Sequence, residues 1–141
     1  MAFLSAQDEQ AVRQEFARLT GPVKIAAFAS ELGDETHRQT VALVKEVAAL
    51  SDLITVEVLN PHIDRERAAA YGIEHAPALV VEGAEDYGIR FYGIPAGYEF
   101  ANLIDSIIVA STGQPAVSAA TKDALGSLAQ DVTIKVFTTP T

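Results

Sequence analysis

Val12, Phe16 and Leu19 recur at helical spacing behind Ser5, with Asp8 and Glu9 placed for a first turn, so the pattern predicts a helix over residues 6–19. Gly21-Pro22 ends it, and the apolar run Val23 to Ala29 between breakers is the length of a buried strand. Asp34 is placed to cap a second helix in which Val41, Val44, Val47 and Ala48 keep the 3.6-residue period to about Ser51. Leu53 to Leu59, rich in β-branched residues, predicts a second strand. After the turn at Asn60-Pro61 a short helix should run from Arg67 to Tyr71 and stop at Gly72.

Pro77 to Glu82 reads as a third strand, and the short connection from Gly83 to Asp86 makes Ile89 to Tyr92 its antiparallel partner. Phe100, Leu103, Ile104, Ile107 and Ile108 then fall on one helical stripe that must pack on a sheet. Two strand–helix units with long crossovers, followed by a hairpin and a last helix, predict an α/β fold: a mixed four-stranded sheet flanked by helices.

An offset of 109 residues superposes Phe16 on Leu125, Leu19 on Leu128, Val23 on Val132, Ile25 on Ile134 and Phe28 on Phe137. Self-similarity at that spacing implies a second copy of a domain, of which the chain holds a helix at about 117–128 and a strand at about 132–138. The expected organisation is one unit at 1–112 and an incomplete second unit at 113–141. An unpaired strand tends to recruit another chain. Residues 132–138 are therefore expected to pair with their own sheet or to exchange with a second copy as a homodimer.

The chain has 141 residues, 19 acidic against 10 basic, and no cysteine. Without thiols it has no disulfide, thiolate metal site or cysteine nucleophile. The excess of acid holds in both halves and argues against nucleic acid as a partner, since phosphate affinity rests on Lys and Arg. No apolar stretch approaches the roughly 18–20 residues that cross a bilayer, and the start Met1 to Ser5 lacks the basic run of a signal peptide. The expectation is a cytoplasmic chain with no membrane partner.

The order of elements, with the run Ala68 to Val81 around Pro77, resembles the thioredoxin fold at its cis-proline loop. Residues Asp86 to Phe100, with the first helix and Pro22-Val23-Lys24, are similar to the glutaredoxin-like protein disulfide oxidoreductases. These are tandem thioredoxin-fold proteins resembling the N-terminal domain of the F component of alkyl hydroperoxide reductase. The resemblance implies cell redox homeostasis through a Cys-x-x-Cys at the start of the helix after the first strand. Here Asp34 and His37 hold those two positions, so the chemistry is not carried over and the site is degenerate.

What the resemblance leaves is a scaffold or a polypeptide-binding module, with Pro77 as the cis-proline and the Ala76 backbone as the strand-like partner of a peptide. Alternatively, the chain is the N-terminal part of an active thiol-disulfide oxidoreductase whose Cys-x-x-Cys lies beyond Thr141. The aligned Asp131 to Thr141 looks like the strand that leads into such a motif.

No cofactor is implied. Asp34, His37 and His75 form a candidate zinc or nickel set, weighed against the reading in which Asp34 caps its helix and both histidines are solvated. The second reading is adopted, and no metal is expected. His62 is expected to decorate a helix start, and Tyr87, Phe91, Tyr92 and Tyr98 to pack across the hairpin. The spacing of Gly83, Gly88, Gly93 and Gly97 matches no nucleotide loop.

Overall fold

A computed structural model describes residues 2–139. Met1, Pro140 and Thr141, at the ends of the two expected units, lie outside the described residues. The elements are α1 (Ala6–Phe16), β1 (Val23–Phe28), α2 (Glu35–Ala48), β2 (Ile54–Leu59), α3 (Arg65–Ala70), β3 (Ala78–Glu82), β4 (Ile89–Tyr92), α4 (Tyr98–Thr112) and α5 (Ala119–Gly126). The sheet order is β2-β1-β3-β4. β1 pairs parallel with β2 and antiparallel with β3, and β4 closes the hairpin antiparallel to β3. The mixed four-stranded sheet is thus the one the pattern predicts.

The capping residues act as their types dictate. Ser5 and Asp8 form a reciprocal capping box at α1, and Asp34 Oδ1 accepts the Thr36 N–H at 2.9 Å to start α2. β1 is apolar except for Lys24 because both of its faces are covered. Val23, Ile25 and Ala27 face α1, α2 and α4 in a core with Phe16, Val44, Leu79 and Ile107, while Ala26 and Phe28 face Ala68, Ile73 and Val80 on the other side. The larger core leaves no room at Gly83, where a Cβ would stand 1.8 Å from the carbonyl oxygen of Ala110 in α4.

On the smaller face α3 is only six residues long, and charged groups complete the cover. Lys24 Nζ lies 2.7 Å from Glu82, Arg67 grips Glu57 with two bonds of 2.8 Å, and the Tyr71 hydroxyl donates to Glu82 at 2.6 Å. Lys24 and Arg90 also stand over the Tyr71 ring, at 5.8 and 5.6 Å from its centroid.

The strand expected at 132–138 is not formed. Residues 131–139 carry neither helix nor strand and are exposed, and the helix α5 before them buries none of its residues. A strand exists only through ladder partners, and the four-stranded sheet among the described residues takes in no strand from this segment.

Candidate functional site

The strand register puts Leu59, Phe28, Ala78 and Tyr92 side by side at one end of the sheet. The loops at that end are therefore 29–34, 60–64, 71–77 and 93–97. All four sequence-predicted site residues, Asp34, His37, Ala76 and Pro77, belong to this end.

The loop 71–77 is tied at both ends and free in the middle. Its start is fixed by the Tyr71 carbonyl, which accepts from Arg90 Nε at 3.1 Å, and by the Ile73 N–H, which donates to Ala68 at 2.8 Å. Its end is fixed by the Pro77 carbonyl, which accepts the Gly93 N–H at 2.9 Å, and the Ala76–Pro77 bond is cis. Between these anchors the backbone N–H and C=O groups of Glu74, His75 and Ala76 make no hydrogen bond among the described residues. A row of unpaired main-chain groups held by fixed ends is what an added strand pairs with.

Asp34 is spent on its cap, but His37 does more than decorate α2. Its Nδ1 accepts the Ser30 N–H at 3.0 Å, which assigns the ring proton to Nε2. The ring lies over Gly33, where a Cβ would come within 2.4 Å of the imidazole, so only glycine lets the loop fold beneath it. His37 thereby borders two hollows. One, of about 590 Å³, runs along α2 with Arg38, Val41 and Lys45. The other, of about 400 Å³, joins His37 to His62, Glu74, His75 and Ala76.

No group of three His, Asp or Glu among the described residues is disposed to hold a metal ion, so Asp34, His37 and His75 are not assembled as ligands. His62 is more than the helix decoration expected of it, since it brings a third imidazole to the groove beside Ala76. Proximity in the fold, across 13 to 38 residues of chain, is a signal no local pattern carries. Of the aromatics, Phe91 packs against the main core as expected. Tyr92 is half exposed and meets the His75 ring edge to face at 6.4 Å, and Tyr98 stands in solvent.

Sequence reasoning also missed the ion network behind the loop. Lys24 and Glu82, the two charges inside otherwise apolar strands, were its visible signal. The carboxyl of Glu82 is lowered: burial pushes it up, but the Lys24 ammonium and Tyr71 hydroxyl together outweigh that. Lys24 is raised in turn, chiefly by Glu82. Beside them the Arg90 guanidinium, bonded to both Asp86 oxygens at 2.8 and 2.7 Å, holds that carboxyl at about 2.

This architecture is a thioredoxin-like fold. The chain is similar over 90% of its length to the F component of alkyl hydroperoxide reductase (AhpF) of Enterococcus faecalis, with a TM-score of 0.81, 26% identity and 62% of that chain covered. A protein disulfide oxidoreductase of Aeropyrum pernix matches with a TM-score of 0.77 and 28% identity, over 91% of this chain and 56% of that one. By sequence, 113 residues are 30% identical to a protein named NADH dehydrogenase from Ferdinandcohnia aciditolerans, covering 79% of this chain. A further 29% identity over 103 residues, 73% of this chain, links it to the F component of alkyl hydroperoxide reductase of Xanthomonas campestris pv. phaseoli. The chain spans only 19% and 17% of those two proteins. No protein-family model matches it. Among the described residues no helix is long and apolar enough to cross a membrane.

Proposed function

We propose that this unit is a redox-inactive, degenerate thioredoxin-like domain that serves as a scaffold by holding a polypeptide against the backbone of residues 74–76, in the cytoplasm. The observation that carries the reading is the unpaired main chain of Glu74, His75 and Ala76 between two anchored ends. Disulfide exchange needs a thiolate, and a chain without cysteine supplies none. Its similarity to oxidoreductases therefore bears on the groove and not on thiol chemistry of its own.

Titration of the ¹⁵N-labelled chain with an unstructured peptide tests this. Amide shifts are expected to concentrate at Glu74, His75 and Ala76, and methylating the peptide's paired amide should weaken binding roughly tenfold, the worth of about one main-chain hydrogen bond. Shifts spread evenly over the surface, or indifference to methylation, would refute it. Insulin reduction by the chain alone is expected at background level.

A second reading is favoured by the repeat of residues 16–28 at 125–137 and by the greater length of the similar proteins. In it, the chain is the N-terminal part of a thiol-disulfide oxidoreductase whose Cys-x-x-Cys lies beyond Thr141. The coding sequence after Thr141 decides: a cysteine pair supports this reading and its absence removes it. Exchange of residues 132–138 between two copies is the corresponding proposal for the chain as it stands, supported by the exposed Val132, Ile134, Val136 and Phe137. Sedimentation should then show a dimer that reverts to monomer when those residues are removed.

A further inference from the structure

The chain has three histidines, and all three line the one groove of about 400 Å³ that borders Ala76. They arrive from separate elements: His37 from α2, His62 from the loop after β2, and His75 from the loop before β3. Within the groove the only formally charged side chain is Glu74. Neutral imidazoles and a carboxylate are acceptors, and the half-exposed Tyr92 ring packed on His75 adds a π face at the rim.

The surroundings have the same sign. The segments that form the groove and its rim, 30–38, 60–65 and 73–77, carry five acidic residues against two basic ones. Arg38 is paired with Glu35, and Arg65 Nε donates to the His62 carbonyl at 2.9 Å. Asp34 and Asp64 accept backbone N–H groups, leaving Glu31 and Glu74 exposed. The whole chain carries a formal charge of -9.

We propose that the groove selects a polypeptide segment bearing a basic side chain, and that its two exposed imidazoles, His62 and His75, release that segment on acidification. The inference rests on the polypeptide-binding reading above and adds a partner chemistry to it. Imidazole is the common side chain that gains charge between about pH 8 and pH 5. His37 Nδ1 is already taken by the Ser30 N–H, so the exposed His62 and His75 are the imidazoles free to gain charge, and a proton on each would turn the lining from one negative charge to one positive one, opposing a cation held there.

The test uses the full chain and labelled peptides that differ at one central residue, Lys, Ala or Glu, with fluorescence anisotropy at constant ionic strength. At about pH 7.5 the Lys peptide is expected to bind about fivefold tighter than the Ala peptide, and at about pH 5.5 the preference should fall below about twofold. In the double variant His62→Gln, His75→Gln, both positions being exposed, most of the preference should persist at the lower pH. Equal binding of Lys and Ala peptides at the higher pH, tighter binding of the Glu peptide, or a preference that does not move with pH overturns the inference while leaving the polypeptide-binding reading intact. Failure of all the peptides to bind overturns both.

Discussion

Phe28 in β1 is wholly buried, whereas Phe137, its counterpart 109 residues on, is 90% exposed; Ile25 and Ile134 differ in the same way, at 0% and 82%. The two stretches carry the same apolar spacing, and both follow a helix. The first lies between β2 and β3 with helices on either face, while the second meets no ladder partner among the described residues. What separates them is the rest of a domain. Apolar periodicity states what a segment would bury, and only neighbouring elements decide whether it does.

The largest expected effect breaks that comparison at its centre. Phe28→Ala removes a ring packed against Ala68, Ile73 and Val80 and should cost about 3–5 kcal/mol in urea unfolding. Phe137→Ala should change stability by less than about 0.5 kcal/mol, as should removal of α5 and the residues after it. A comparable loss from the tail would mean that it is docked after all.

The same contrast marks what the sequence could tell. Both capping residues, the four sheet strands and the stripe of α4 were legible because each is encoded within a few residues: Ser5 against Asp8, or Leu103 against Ile107. The cis Ala76–Pro77 bond and the place of His37 at the groove were legible through resemblance to a family. The third imidazole, His62, and the Lys24–Glu82–Tyr71 network were not, because they are assembled across crossovers. The expected strand at 132–138 failed for the converse reason, since a correct local pattern had no tertiary partner.

Two substitutions sharpen the comparison on the side that is packed. Gly83→Ala would drive a methyl into the Ala110 carbonyl and force α4 away from β3, at about 2 kcal/mol, measured by thermal or urea unfolding. An unchanged midpoint would mean that this contact yields without strain. On the opposite face Tyr71→Phe deletes the hydroxyl donated to Glu82 but leaves Lys24 in place, so a smaller loss of about 1 kcal/mol is expected. The loop that carries Ala76 is anchored by the Tyr71 main-chain carbonyl, which the variant keeps, so peptide binding should be unchanged.

An effect as small as that of Tyr71→Phe is expected from pH. Asp86 is bound by Arg90 and its carboxyl is held at about 2, below the ordinary 3.8. A carboxylate depressed by folding stabilises the native state above its unfolded value, and that contribution fades as pH falls from about 4 toward about 2. With the Asp86 side chain 32% exposed, solvent screening keeps the loss to about 1 kcal/mol. Glu82 and Glu57 are lowered too and add acid sensitivity of the same sign. Asp86→Asn should therefore be less stable than the parent near neutral pH and lose less on acidification, so the two urea midpoints converge by about pH 2. The tail offers a control in Asp131, which forms no ion pair among the described residues, so Asp131→Asn should leave the acid limb unchanged. Convergence for Asp86 without any for Asp131 would show that the packed copy alone couples its charges to folding.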